Sequence, residues 1–204
     1  MEYFIIILLS YLSGSIPFGL ILTKIFSKKD IRTIGSGNIG ATNVLRTGNK
    51  YLASFTLILD ILKGYIPAAI TIIHFPSLIE LSCLAVFLGH LFPFWLKFNG
   101  GKGVATYLGV ITALSFQLSF LFVFTWLVVS LIFKYSSVSS MFGSLTVFVV
   151  NFLRDTVTSV DPTIISVSKT FDSKILFIFF ILIVFTHRKN ILNLKNKTES
   201  KIKI

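Results

Sequence analysis

The chain has 204 residues, of which 54% are hydrophobic and only 13% charged, with 22 phenylalanines and a mean hydropathy of +0.86. That composition excludes a soluble globular domain and points to an integral membrane protein. The net charge of +11 sits in short loops between apolar runs and in the C-terminal tail, not along one aromatic-interleaved face. It therefore reads as positive-inside topology and not as a nucleic-acid surface.

The first apolar run covers residues 3–26. It starts after Glu2 without a basic n-region and exceeds the length of an h-region, so it is expected to span the membrane rather than act as a signal peptide. Lys24, Lys28, Lys29 and Arg32 follow it, which predicts an external N-terminus and a cytoplasmic loop next. That loop is Gly35-Ser36-Gly37-Asn38-Ile39-Gly40-Ala41-Thr42-Asn43-Val44-Leu45-Arg46. Its glycines allow φ > 0 and inward-facing N–H groups, as in anion-binding nests, and Arg46 offers a bidentate fork for phosphate or carboxylate. Two readings stand, a phosphate cradle built on Ser36, Gly37, Asn38, Gly40, Thr42, Asn43 and Arg46, or an ordinary polar turn between spans. Gly35, Gly37 and Gly40 also satisfy G-x-G-x-x-G, with Asp60 twenty residues after the last. A dinucleotide fold needs a soluble βαβ unit, and the apolar runs at 3–26 and 51–73 rule it out.

Asp60 and Lys63 lie three apart inside the second run, where ionisable groups are functional or form a structural ion pair. The third run, 78–96, leads into Gly89-His90-Leu91-Phe92-Pro93-Phe94-Trp95-Leu96-Lys97-Phe98-Asn99-Gly100-Gly101-Lys102-Gly103-Val104-Ala105-Thr106. The register is wrong for a Walker motif, because Leu96 and Gly103 fall where a glycine and a Ser/Thr are needed. Lys102 among Gly100, Gly101 and Gly103, opening a helix, is either an anion site or a snorkelling interfacial lysine.

Residues 104–133 are too long for one upright span of roughly 20 residues. Two short helices broken near Ser115, Gln117 and Ser119 would place Lys97, Lys102, Lys134 and the basic tail at 188–204 on one side. With runs at 138–153 and 175–186, the expectation is an all-α polytopic protein of seven transmembrane helices, N-terminus outside and C-terminus cytoplasmic. The loop at 154–173 would be external, and one membrane domain would cover 1–204. Ser137 lies in a serine run that either caps a helix or adds hydroxyls to a site. His187 and Asn190, three apart at the exit of the last run, share a helical face and are a site or a basic interfacial anchor. The single cysteine, Cys83, implies neither disulfide nor metal cluster. Metal spacings, nucleophile elbows and paired carboxylates for sugar chemistry do not appear. None of His74, His90 or His187 has an aspartate five residues on, so a His-x-x-x-x-Asp base is missing as well.

The motifs at 35–46, 89–106 and 187–191, with the turn at 13–17 and Asp60-Ile61-Leu62-Lys63-Gly64, make nearly the whole chain resemble the bacterial acyl-phosphate:glycerol-3-phosphate acyltransferases of the PlsY type. The resemblance implies a seven-helix inner-membrane enzyme that acylates the sn-1 hydroxyl of glycerol 3-phosphate from acyl phosphate, the first acylation step of phospholipid biosynthesis. Ser36, Arg46, Lys102, His187 and Asn190 would line the substrate pocket, membrane lipid would surround the acyl chain, and another enzyme would supply acyl phosphate. No cofactor, metal or nucleic acid is implied. Asn193 and Lys197 stand where the family usually shows arginine and glycine. With no protein base in view, the donor's phosphate would take the hydroxyl proton, His187 orienting the substrate or serving as alternative base. A transporter for organic phosphates would also need a basic pocket, though repeats or helices broken at mid-membrane would be expected.

Overall fold

A computed structural model of the chain describes residues 2–160 and 172–202. Among these residues every regular element is helical and no strand occurs. The chain divides into two compact units, Met1–Ala113 and Leu114–Ile204.

In the first unit, α1 (Glu2–Gly14) and α2 (Phe18–Ser27) together make the first apolar stretch. Pro17 fixes φ and lacks an N–H, and the chain breaks at residues 15–17. After a 3₁₀ turn at Ile31–Thr33 come α3 (Ala41–Leu45) and the long α4 (Lys50–His74), the latter capped by Asn49 through the amide of Leu52. α5 (Ile79–Leu91) stops two residues before Pro93, because the residue ahead of a proline is pushed out of the helical region. α6 (Val104–Leu114) closes the unit.

The helices of this unit meet through glycines. A Cβ on Gly14 of α1 would collide with the carbonyl of Val86 in α5, and one on Gly89 of α5 with the carbonyl of Tyr11 in α1. Gly64 of α4 and Gly109 of α6 are paired in the same reciprocal way against Thr106 and Ile61. Such backbone-to-backbone approach, with hydroxyls bonded across it, is how helices associate where lipid offers no hydrophobic drive. Ser10, Ser82 and Thr71 supply that chain of hydroxyls at 2.8 and 3.0 Å.

In the second unit, α7 (Phe116–Phe133) is capped by Ser115 and packs on α8 (Ser136–Val160). Trp126 of α7 donates to Ser140 of α8 at 3.2 Å. α9 (Ser173–Thr186) joins α8 through a Phe148–Phe177 ring contact and a polar knot of Asn151, Asp155 and Ser173. α10 (Arg188–Lys195) follows after a bend of 54°. The outward faces are strongly apolar, with Phe116, Phe120, Phe124, Leu127 and Leu131 of α7 all exposed, as a lipid-facing surface requires.

Among the described residues five helical stretches are long and apolar enough to cross a membrane, and six if the bent pair counts as one. A total of seven needs Val104–Leu114 as well, which with 11 residues reaches only roughly 17 Å. The break expected within 104–133 falls at Ser115. The expected loop at 154–173 begins later, because α8 runs on to Val160: Arg154 and Asp155 end the apolar run but not the helix. The segment 161–171, with Pro162, lies outside the described residues.

Candidate functional site

The loop at 35–46 is organised from inside by Asn43, which is 2% exposed. Its Oδ1 accepts from the amide of Ser36 at 3.0 Å, and its Nδ2 lies 3.1, 2.9 and 2.7 Å from the carbonyls of Ile31, Ile34 and Asn38. Gly35 and Gly37 hold φ of 56° and 69°, the left-handed region in which side chains are disfavoured. The Arg46 side chain lies over Gly35, where an added Cβ would meet its Cδ and Nη1. Asn38 turns its own side chain onto the amide of Ile39, and Gly40 caps α3 with its backbone. Ser36, Gly37, Thr42 and Arg46 remain exposed. At the loop's entrance Asp30 caps the 3₁₀ turn and grips Arg32 at 2.6 Å. That guanidinium, with the Arg32 amide, holds the Asp30 carboxyl well below the usual carboxylate range.

The second loop folds over His90. Gly100 and Gly101 donate their amides to the carbonyls of Leu91 and His90 at 3.0 and 3.1 Å. A Cβ on Gly101 would collide with His90 Nε2, and His90 Nδ1 is 2.9 Å from Thr106 Oγ1. Gly103, at φ 80°, leaves no room for a side chain beside the Phe87 ring. Lys102 is thus half-buried two residues ahead of the α6 N-terminus, on a turn seated over an imidazole.

In the second unit the motif residues meet around a carboxylate that sequence reasoning overlooked. Glu199 Oε1 accepts from Ser137 Oγ at 3.0 Å and from Asn190 Nδ2 at 2.6 Å, and Oε2 lies 3.4 Å from Asn193 Nδ2. The available signal was its position as the sole acid after residue 172, in a tail otherwise basic. The tail is not a loose appendage, since the amide of Ile202 donates to the carbonyl of Lys134 at 2.7 Å. Lys197 sits at φ 59°, so the backbone keeps a glycine-like conformation although the glycine usual in the family is absent. The serine run does not cap α8: Ser139 and Ser140 bond back to the carbonyls of Tyr135 and Ser136. His187 is 2% exposed, with Nδ1 2.7 Å from the carbonyl of Ile183. A carbonyl only accepts, so Nδ1 carries the hydrogen, and in the neutral ring Nε2 is the acceptor nitrogen.

These features define a multi-pass helical membrane protein with two glycine-rich basic loops in one unit and a histidine–asparagine pair in the other. Residues 4–197 match the family model for glycerol-3-phosphate acyltransferase, and the chain belongs to that family. A glycerol-3-phosphate acyltransferase of Pelagibacter ubique is 52% identical over 204 residues, all of both chains. One from Brucella anthropi is 45% identical over 94% of this chain and 89% of its own. The fold is similar to crystal structures of PlsY, an integral membrane glycerol 3-phosphate acyltransferase, in its glycerol 3-phosphate form (TM-score 0.88) and its lysophosphatidic acid form (0.85). Each is 32% identical to this chain and covers all of it and 96% of its own length.

Proposed function

We propose that this protein transfers an acyl group from acyl phosphate to the sn-1 hydroxyl of glycerol 3-phosphate, giving lysophosphatidic acid and phosphate. What supports the reading most is that neutral Asn43 and the His90 imidazole scaffold the two loops of the first unit, while the cations Arg46 and Lys102 ride on their rims, as a site for phosphate dianions needs. The family's name and the two ligand forms of its solved relative agree with that chemistry.

In the proposed reaction the glycerol 3-phosphate hydroxyl oxygen attacks the acyl carbonyl carbon. The bond from that carbon to the phosphate oxygen breaks, and the hydroxyl proton passes to the departing phosphate. A mixed anhydride needs little beyond charge stabilisation of its leaving group, the role assigned to Lys102 and Arg46, because the amides of Ser36, Gly37, Gly100 and Gly101 are already bonded to Asn43 Oδ1 and to the carbonyls of Ile34, Leu91 and His90. His187 and Asn190 orient the acceptor, so that its hydroxyl faces the carbonyl. Residues 1–204 act as one domain with seven crossings in a bacterial inner membrane, external N-terminus, cytoplasmic loops and lipid around the acyl chain. An acyl-phosphate-forming enzyme must precede it, because that anhydride hydrolyses readily. The test is purified protein given labelled glycerol 3-phosphate with acyl phosphate, acyl-CoA or acyl carrier protein in turn, where turnover is expected with acyl phosphate alone. Labelled glycerol 3-phosphate crossing vesicles without acylation would point instead to a transporter.

A further inference from the structure

A break in a membrane helix strips carbonyls of their donors, and lipid supplies none. At the break between α1 and α2 the Ser15 carbonyl accepts from Trp95 Nε1 at 2.6 Å. The Ile16 carbonyl, met by the Phe18 amide at 3.1 Å across a tight turn, takes a second donor, Lys63 Nζ, at 2.6 Å. The exchange is mutual. Pro67 in α4 has no N–H for the carbonyl of Lys63 four residues back, and Ser13 of α1 donates its hydroxyl there at 3.0 Å. Lys63 Nζ also pairs with Asp60 at 2.8 Å, both side chains being under 5% exposed, and lies 5.6 Å from the centre of the Phe18 ring. The two buried opposite charges offset one another and the Ile16 carbonyl takes a hydrogen bond from Lys63, whereas either charge alone would be costly.

Both polar loops of the first unit rest on this break. α2 leaves it with Gly19 pressed against the carbonyl of Ile39 in the first loop, and with Leu20 packed among Ile31, Ile39, Val44, Leu52 and Ala53. Trp95 belongs to the Phe94–Leu96 turn that leads into the second loop and Lys102. We propose that Lys63, held by Asp60, is a positioning residue for acyl transfer: by donating to the Ile16 carbonyl it fixes the angle at which α2 leaves α1, and with it the seats of both loops. The proposal rests on the function proposed above for its kinetic readout but not for its spectroscopic one.

The chain has two tryptophans, so Trp126→Phe leaves Trp95 as sole reporter. In that background Asp60→Leu with Lys63→Met removes both charges together, leaving none buried alone, while Ile16 loses its lysine donor. The expected result is a change in Trp95 emission and acrylamide quenching, together with a fall of about tenfold or more in kcat/KM per folded molecule, the scale of a misplacement distant from the chemistry. Lys63→Arg, with donors for both the carboxylate and the carbonyl, should recover most of that loss. A pair that merely stabilises the fold would lower yield and melting temperature with kcat/KM per folded molecule and Trp95 unchanged, and that result overturns the proposal. If the double variant does not fold, Asp60→Asn with Lys63→Gln keeps a polar pair too short to reach Ile16 and should show the same losses. If the unsubstituted protein transfers no acyl group, the proposed function fails, and the Trp95 measurement decides this proposal alone.

Discussion

The loop at 35–46 and the segment at 187–199 are both polar constructions held from within, but by groups of opposite character. Asn43 binds four backbone groups, two within its loop and two just ahead of it, without bringing a charge. Glu199 gathers Ser137, Asn190 and Asn193 and does bring one. A neutral organiser leaves the field of Arg46 undiminished for an incoming anion, whereas a carboxylate makes a rigid knot and cancels part of the positive tail. The difference is the one the proposed function calls for, with charge stabilisation in the glycine-rich loops of the first unit and orientation in the second.

Lys102 gives the largest effect by which that division can be broken. Lys102→Ala should lose roughly 3 kcal/mol of transition-state stabilisation, about a hundredfold in rate, with the protein still folded and inserted. Lys102→Arg should restore only part, since a planar fork does not replace a point charge. Steady-state rates within about threefold of the unsubstituted protein would remove Lys102 from the chemistry.

His187 should matter less. If it orients substrate while the donor's phosphate takes the proton, His187→Asn keeps measurable turnover, losing less than the roughly hundredfold or more that removing a general base costs. The rate profile between pH 5 and 9 should then lack a limb near the ordinary histidine value of about 6.5. A variant as inactive as Lys102→Ala, with such a limb in the unsubstituted protein, would make His187 the base and merge the two roles.

Glu199→Gln tests the knot itself. It leaves Ser137 and Asn190 facing a neutral amide, half of which donates instead of accepting, and should lower stability by about 1–3 kcal/mol, read as a lower melting temperature in detergent. The loop at 35–46 should be untouched, so amide exchange there should not change. Faster exchange at Ser36 would show that the two regions are not independently organised.

The helical class and the break at Ser115 were legible because they follow from local rules, whereas the 3–26 and 78–96 runs read as continuous although Pro17 and Pro93 interrupt their helices. The polar clusters were legible because glycine and lysine are conspicuous between apolar runs. What each polar side chain faces was not. Asn43 reads as a ligand-binding amide until the carbonyls of Ile31 and Ile34 close on it, and Lys63 reads as half of a pair until the break in α1 is seen to need a donor. Glu199 escaped because its partners lie up to 62 residues away, a separation that no periodicity encodes. The end of α8 was misplaced because hydropathy marks where lipid stops, while the helix continues for as long as its backbone bonds do.

The smallest effect belongs to Asp30, at the entrance of the glycine-rich loop. Its carboxylate accepts from the Arg32 amide at 3.0 Å and from the guanidinium Nε and Nη2 at 2.9 and 2.6 Å, and these bonds hold it well below the usual carboxylate range. A depressed folded-state value means that the stabilisation is complete above the unfolded value of about 3.9 and disappears only as pH falls through the lower, folded one. Between pH 5 and 9 the contribution is therefore constant, and it is small, because both partners are solvent-exposed and screened. Asp30→Asn should leave activity nearly unchanged across that range while speeding amide exchange at Arg32, which loses its charged acceptor. In strong acid the unsubstituted protein should approach the variant's exchange rate. If Asp30→Asn instead cost activity on the scale of Lys102→Ala, the negative charge at the entrance would belong to the site, and the neutral scaffold inferred for the first loop would be wrong.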